Sequence, residues 1–313
     1  MLRRPDRYRA ANRLLNHPPM EHPSRSPVLA LGGGGARGIA HLGVLQHLAA
    51  AGWTASRMVG VSIGSLVAAM CATDTLHNAL TVSKDYLASD AFRQRGHLLP
   101  ATAPSEAPEE WSFLTIFHRM KRMIHDGRRM SRLLNHPSLL PAGILIEAIE
   151  AMVPDIDIDE TNIPIKIIAA DLISGHPVVL RAGSLRTAVQ ASASIPGIFP
   201  PVEFEDKLLC DIGGIDSLPS QAARERVDDF IIAVDVGPNT VREQDYSRAI
   251  DVLMRMEEIA ETASRHQAYE LADMVIRPQV GDCAWYDFDR FDELVAAGQV
   301  AAKRALRAFA ARG

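Results

Sequence analysis

Two apolar, β-branched runs each break into glycines and then into a helix-forming stretch, close together near the start of the chain. The first is Val28-Leu29-Ala30-Leu31, followed by Gly32-Gly33-Gly34-Gly35-Ala36-Arg37-Gly38 and a helical stretch from Ile39 to Leu48. The second is Arg57-Met58-Val59-Gly60-Val61, followed by Ser62 and the helix-forming Ser65-Leu66-Val67-Ala68-Ala69-Met70. Strands that are apolar throughout are buried on both faces, and parallel strands need helical crossovers. The repeated unit therefore predicts an α/β fold with its loops gathered at one end of a parallel sheet.

Gly60-Val61-Ser62-Ile63-Gly64 has the form G-x-S-x-G. In a nucleophile elbow of this form a serine stands on a tight strand-to-helix turn, and the glycines let strand and helix approach closely. The helix N-terminus favours negative charge developing there. The motif alone also fits an ordinary turn. The earlier glycine run can expose backbone N–H groups to the oxyanion of an acyl-transfer intermediate. Residues 33–38 also satisfy G-x-G-x-x-G, the dinucleotide fingerprint, which wants an acid about 20 residues further on. No Asp or Glu stands between Glu21 and Asp74. An NADP site using Arg57 is the surviving form of that alternative, and no Walker lysine follows the glycines.

A base for Ser62 is sought later in the chain. Leu208-Leu209-Cys210-Asp211-Ile212-Gly213-Gly214-Ile215-Asp216-Ser217-Leu218-Pro219 places an acid at the end of an apolar strand. Upstream stands Ala191-Ser192-Ala193-Ser194-Ile195-Pro196-Gly197-Ile198-Phe199-Pro200-Pro201. With these four blocks in this order, residues 28–236 resemble the patatin-like phospholipase family. The resemblance implies a three-layer α/β/α fold with a largely parallel central sheet. It also implies a Ser–Asp dyad, with Ser62 as nucleophile and Asp211 as base. Gly33, Gly34 and Gly35 are then the oxyanion donors, with Arg37 in the family's loop-arginine position. The implied activity is hydrolysis of phospholipids, lysophospholipids or related acyl esters, with no cofactor and no metal. One departure is Ile212, where the family has glycine after the acid. Asp216 is the fallback acid, and a catalytically weak lipid-binding or regulatory protein is the alternative function. Only His266 follows Asp211, inside a stretch of helical periodicity and not on a loop, which favours a dyad over a histidine triad.

The remaining features bound the setting. Among 313 residues, 47% are hydrophobic and the net charge is −5, which argues against a general nucleic-acid binder. Three scattered cysteines indicate neither a disulfide framework nor a zinc site, and with no apolar run of spanning length a cytoplasmic protein is expected, with peripheral membrane contact as a further option. The oligomeric state is not legible. Residues 1–27, rich in arginine and proline, read as a flexible arm, and residues 28–313 as the catalytic domain. Within the domain, 85–140 read as a cap or lid and 240–313 as C-terminal helices. In 111–132, Trp111, Phe113, Ile116, Phe117, Met120, Met123 and Ile124 recur at helical spacing beside Arg119, Lys121 and Arg122. That pattern fits a packed cap helix or a lid that meets anionic lipid. Further strands are expected at 163–171, 177–180 and 229–236, and closing helices at 254–272 and 288–311.

Overall fold

The computed structural model describes residues 26–96, 137–237, 249–281 and 283–311. The arm up to residue 25 and the amphipathic stretch 111–132 lie outside the described residues. One eight-stranded sheet organises the rest. Its strands are β1 (Val28–Leu31), β2 (Arg57–Val61), β3 (Ile165–Asp171), β4 (His176–Leu180), β5 (Val202–Phe204), β6 (Lys207–Cys210), β7 (Ile231–Val234) and β8 (Met274–Ile276). The order is β5-β6-β3-β2-β1-β7-β8, with β4 also pairing β3. Strands β3, β2, β1, β7 and β8 are parallel, while β4, β5 and β6 pair antiparallel at one side.

Alternation along the strands divides the core in two. Leu29, Leu31, Met58, Ile167, Ile232 and Val234 enter the larger cluster. It is completed by α1 (Ile39–Ala50), α2 (Ile63–Thr73), α3 (Leu76–Ala88), α5 (Gly143–Met152), α6 (Leu185–Ala193) and α9 (Phe291–Ala310). Val28, Ala30, Val59, Val61 and Ile231 enter the second cluster, against α7 (Ser220–Ala223) and α8 (Ala249–Glu270). This is the three-layer α/β/α architecture. The short α4 (Asp90–Gly96) follows α3. All three cysteines are free and buried.

The elements differ from the sequence expectations mainly at their ends. The segment expected as one helix over 288–311 opens with a 3₁₀ turn, Phe288–Arg290, before α9. Strand β7 is shorter than the apolar run around it: Ile231–Val234 pair with β1, and of these only Ile232–Val234 also pair with β8. Helices α3, α5 and α6 are not among the elements expected from the sequence. The caps of α3 and α6 are nonetheless local: Thr75 and Ser184 side chains accept N–H bonds from Asn78 and Thr187.

The parallel register decides where chemistry can occur. Leu31 lies opposite Gly60 and Val234, and Val61 lies opposite Ile168. The segments that follow β1, β2 and β7 therefore emerge side by side at the carboxyl edge, where open α/β sheets bind ligands.

Candidate active site

Ser62 stands between β2 and α2 with φ 54° and ψ −125°. Of the described non-glycine residues, only it and Glu205 have positive φ. Such a conformation costs about 1–3 kcal/mol and persists only where the surroundings over-determine it. The flanking glycines do so here. A Cβ on Gly60 would meet the Ser65 backbone, and one on Gly64 would overlap the Leu31 carbonyl of the neighbouring strand. The Ser65 hydroxyl donates to the Ser62 carbonyl at 2.6 Å, closing the first turn of α2.

The glycine loop is clamped almost peptide by peptide. The Gly32 N–H donates to the Val234 carbonyl, and the Gly32 carbonyl accepts from His41 Nε2 at 2.8 Å. Burial holds the His41 imidazole at a pKa of about 4, against the hydrogen bond to Gly32. The Gly33 N–H donates to the Ser217 carbonyl at 2.8 Å. Arg37 Nε donates to the Gly34 carbonyl at 3.1 Å, and the Ala36 N–H donates to the Trp285 carbonyl. Gly35 is held at φ +57°, where a Cβ would run into Trp285. This corrects one expectation: Gly33 is committed to Ser217, so among the three glycines only the N–H groups of Gly34 and Gly35 have no acceptor among the described residues. A trans peptide points its N–H away from its carbonyl. By holding the Gly34 carbonyl, Arg37 turns the Gly35 N–H the opposite way. Arg37 is itself buried, and desolvation lowers its pKa, opposed by the charges of Glu261 and Asp235.

Asp211 follows β6 directly and is buried, near enough to Ser62 for the serine side chain to favour its charged form. Burial pushes its pKa up to about 6, opposed by the nearby Ser62 side chain and by the Gly213 N–H, which donates to Oδ1 at 2.7 Å. Ile212 does not disturb this arrangement. Its side chain is 1% exposed and packs in the second core cluster, while Gly213 orients the acid.

Ser192 and Ser194, present in the quoted sequence block without a role, frame both groups. Ser192 Oγ accepts the Ser62 N–H at 2.9 Å and donates to the Ile168 carbonyl at 2.6 Å. The Ser194 carbonyl accepts the Asp211 N–H at 2.9 Å. One turn at the end of α6 thus ties together the nucleophile position, the acid position and β3. Two small residues among alanines gave no chemical signal in the sequence.

The other candidates lie apart from this arrangement. Asp216 folds back on its own loop, its N–H donating to the Ile212 carbonyl. His266 is an exposed residue of α8, its ring tilted against that of Tyr269. Arg57 sits at the opposite end of β2 from the glycine loop, paired with Glu225 at 3.0 Å and Asp229 at 2.9 Å. That placement removes the NADP alternative. A cavity of about 160 Å³ opens beside Ser62, with no charged side chain in its lining.

Comparison with known proteins agrees with this architecture. The family model described as patatin-like phospholipase matches residues 29–224. An uncharacterized NTE family protein of Mycobacterium tuberculosis is 27% identical over 310 residues, covering 91% of this chain and 47% of that protein. A second such protein of the same organism is 32% identical over 218 residues, covering 67% of this chain and 49% of its own length. The lysophospholipase NTE1 of Debaryomyces hansenii is 24% identical over 308 residues, covering 89% of this chain and 18% of the yeast protein. The chain spans about half the length of the mycobacterial relatives it matches. With the matched domain covering well over half of its residues, the chain belongs to the patatin-like phospholipase family.

Proposed function

We propose that this chain is a serine hydrolase of lipid acyl esters that works through Ser62 and Asp211 without a histidine. The observation that carries the reading is the pairing of a backbone-strained Ser62 with a buried Asp211 near enough to be influenced by it, whose pKa of about 6 suits a base near neutral pH. In the first step Asp211 takes the hydroxyl proton as Ser62 Oγ attacks the ester carbonyl. The negative charge that develops on the carbonyl oxygen is met by the N–H groups of Gly34 and Gly35 and by the start of α2. Arg37 and His41 position that loop through the carbonyls of Gly34 and Gly32. The tetrahedral intermediate collapses, Asp211 returns its proton to the departing alkoxide, and an acyl-serine remains. Water then attacks the acyl carbon with Asp211 again as base, and the carboxylic acid leaves.

The lipid character of the substrate is supported by the family and by the uncharged cavity beside Ser62. We place the catalytic unit at residues 28–313. Among the described residues no helix is long and apolar enough to cross a membrane, so lipid would be met from the surface of the protein. The direct test is labelling with a fluorophosphonate probe together with ester hydrolysis. Ser62→Ala is expected to lose both while melting as the parent does. Hydrolysis undiminished in Ser62→Ala would overturn the reading.

A further inference from the structure

We infer that the cavity beside Ser62 measures the acyl chain, and that Met70 sets the longest chain accepted. The inference rests on the acyl-hydrolase reading of Ser62 and adds to it an upper limit on the length of the acyl chain accepted.

The cavity runs along α2. Ile63, Leu66, Val67 and Met70 line it at the spacing i, i+3, i+4, i+7, which is one continuous face of a helix. The facing wall comes from α5 and α3, where Ile149 and Ser83 stand across from α2. Met70 lies eight residues beyond Ser62, about 12 Å along the helix axis at 1.5 Å per residue. At that depth the lining is buried: Met70 is 4% exposed, Ser83 5% and Ile149 2%. Ser83 Oγ donates to the Ala79 carbonyl at 2.7 Å and lies 3.5 Å from Met70 Sδ, so its hydroxyl is already satisfied.

These features choose between the parts of a lipid. A phosphate, glycerol or sugar pushed into this space would lose its hydration and find no charged partner, and burying an unpartnered polar group is costly. A hydrocarbon chain loses nothing and gains the hydrophobic contribution of each methylene, worth about fourfold in binding. The gain continues until the chain tip reaches Met70. Beyond that point each further methylene must displace packed side chains, and overpacking is penalised. The alcohol or headgroup side of the ester then stays on the outer side of Ser62.

The test is a series of p-nitrophenyl esters from butyrate through octanoate and laurate to palmitate, with kcat/KM normalised to each variant's own best substrate. The parent is expected to rise by up to about fourfold per methylene and then fall at a defined length. Met70→Ala is expected to move the maximum to a longer acid, and Met70→Phe to a shorter one. Ser83→Leu approaches the same point from the opposite wall and is expected to shorten the maximum, which keeps the test available should a Met70 variant fail to fold. A maximum that stays in place in the folded variants overturns the ruler and leaves the hydrolase reading intact. A parent protein that neither labels with a fluorophosphonate nor hydrolyses any ester overturns both.

Discussion

A carboxylate is a better base towards serine at neutral pH when its own affinity for protons is raised, and at Asp211 burial does this against the Gly213 N–H and the nearby Ser62 side chain. The proposed mechanism needs Asp211 ionised. Activity is therefore expected to rise with pH through a midpoint of about 6, and kcat/KM measured from pH 4.5 to 8 checks this. The stability consequence has the opposite sign. The folded-state value of about 6 exceeds the ordinary 3.8, so the folded protein holds this proton more tightly than the unfolded chain. The stabilisation from the protonated form is fully present below the ordinary value and is lost as pH rises through about 6. Asp211→Asn keeps the shape and removes the buried charge. It is expected to be inactive yet more stable than the parent at pH 8, by up to about 3 kcal/mol. The difference should shrink towards pH 4, as urea unfolding at the two pH values would show.

At the scale of elements, the site is held by the end of α6 as much as by β2 and α2. Ser192 bridges the Ser62 N–H and the Ile168 carbonyl while wholly buried. Ser192→Ala leaves both without that partner. Leaving a buried group unsatisfied costs about 1–3 kcal/mol. The expected result is a lower melting temperature together with a fall in kcat larger than any change in KM, because the elbow loses its register and not its substrate contacts. Steady-state kinetics on a short soluble ester, alongside thermal melts, separates the two effects. The elements themselves were unequally legible. The units β1–α1 and β2–α2 announce themselves through apolar runs ending in glycine. Helices α3, α5 and α6 do not: α3 and α5 pack chiefly against other helices and α6 against α2, β3, β5 and β6, partners that lie in other segments of the chain.

Across the whole molecule, the C-terminal helix completes the fold that the N-terminal strands begin. Helix α9 lies along α1 so closely that a Cβ on Gly298 would overlap the Ala40 carbonyl, and one on Gly43 would overlap Val295. Strand β8 extends the sheet beyond β7, and α8 brings Glu261 and Arg265 beside the buried Arg37. These contacts carry the sheet and its helices past residue 224, where the family match ends. Gly298→Val is expected to force α1 and α9 apart and destabilise the protein by at least about 1–3 kcal/mol, the usual penalty of overpacking. Because α1 carries His41, the same variant is expected to lose esterase activity at temperatures well below its melting point. Parallel melting and activity curves would test that coupling.

Local chemistry was enough to determine the fold class and the family. Glycines at fixed places around Ser62 and after β1 are demanded by backbone geometry, and such demands are written position by position. The acid at the end of β6 was likewise legible from its strand and its glycines, although the meaning of Ile212 was not. Only the tertiary structure showed that Ile212 faces the core while Gly213 orients the carboxylate. Only it withdrew Gly33 from the free donors, by bringing the Ser217 carbonyl to its N–H. The roles of Ser192 and Met70 were equally hidden. A buried serine is an ordinary residue until its partner 130 positions away is known, and a buried methionine until the cavity it lines is known. Strand register and helix packing decide these contacts, and both depend on pairings between segments that no local pattern encodes.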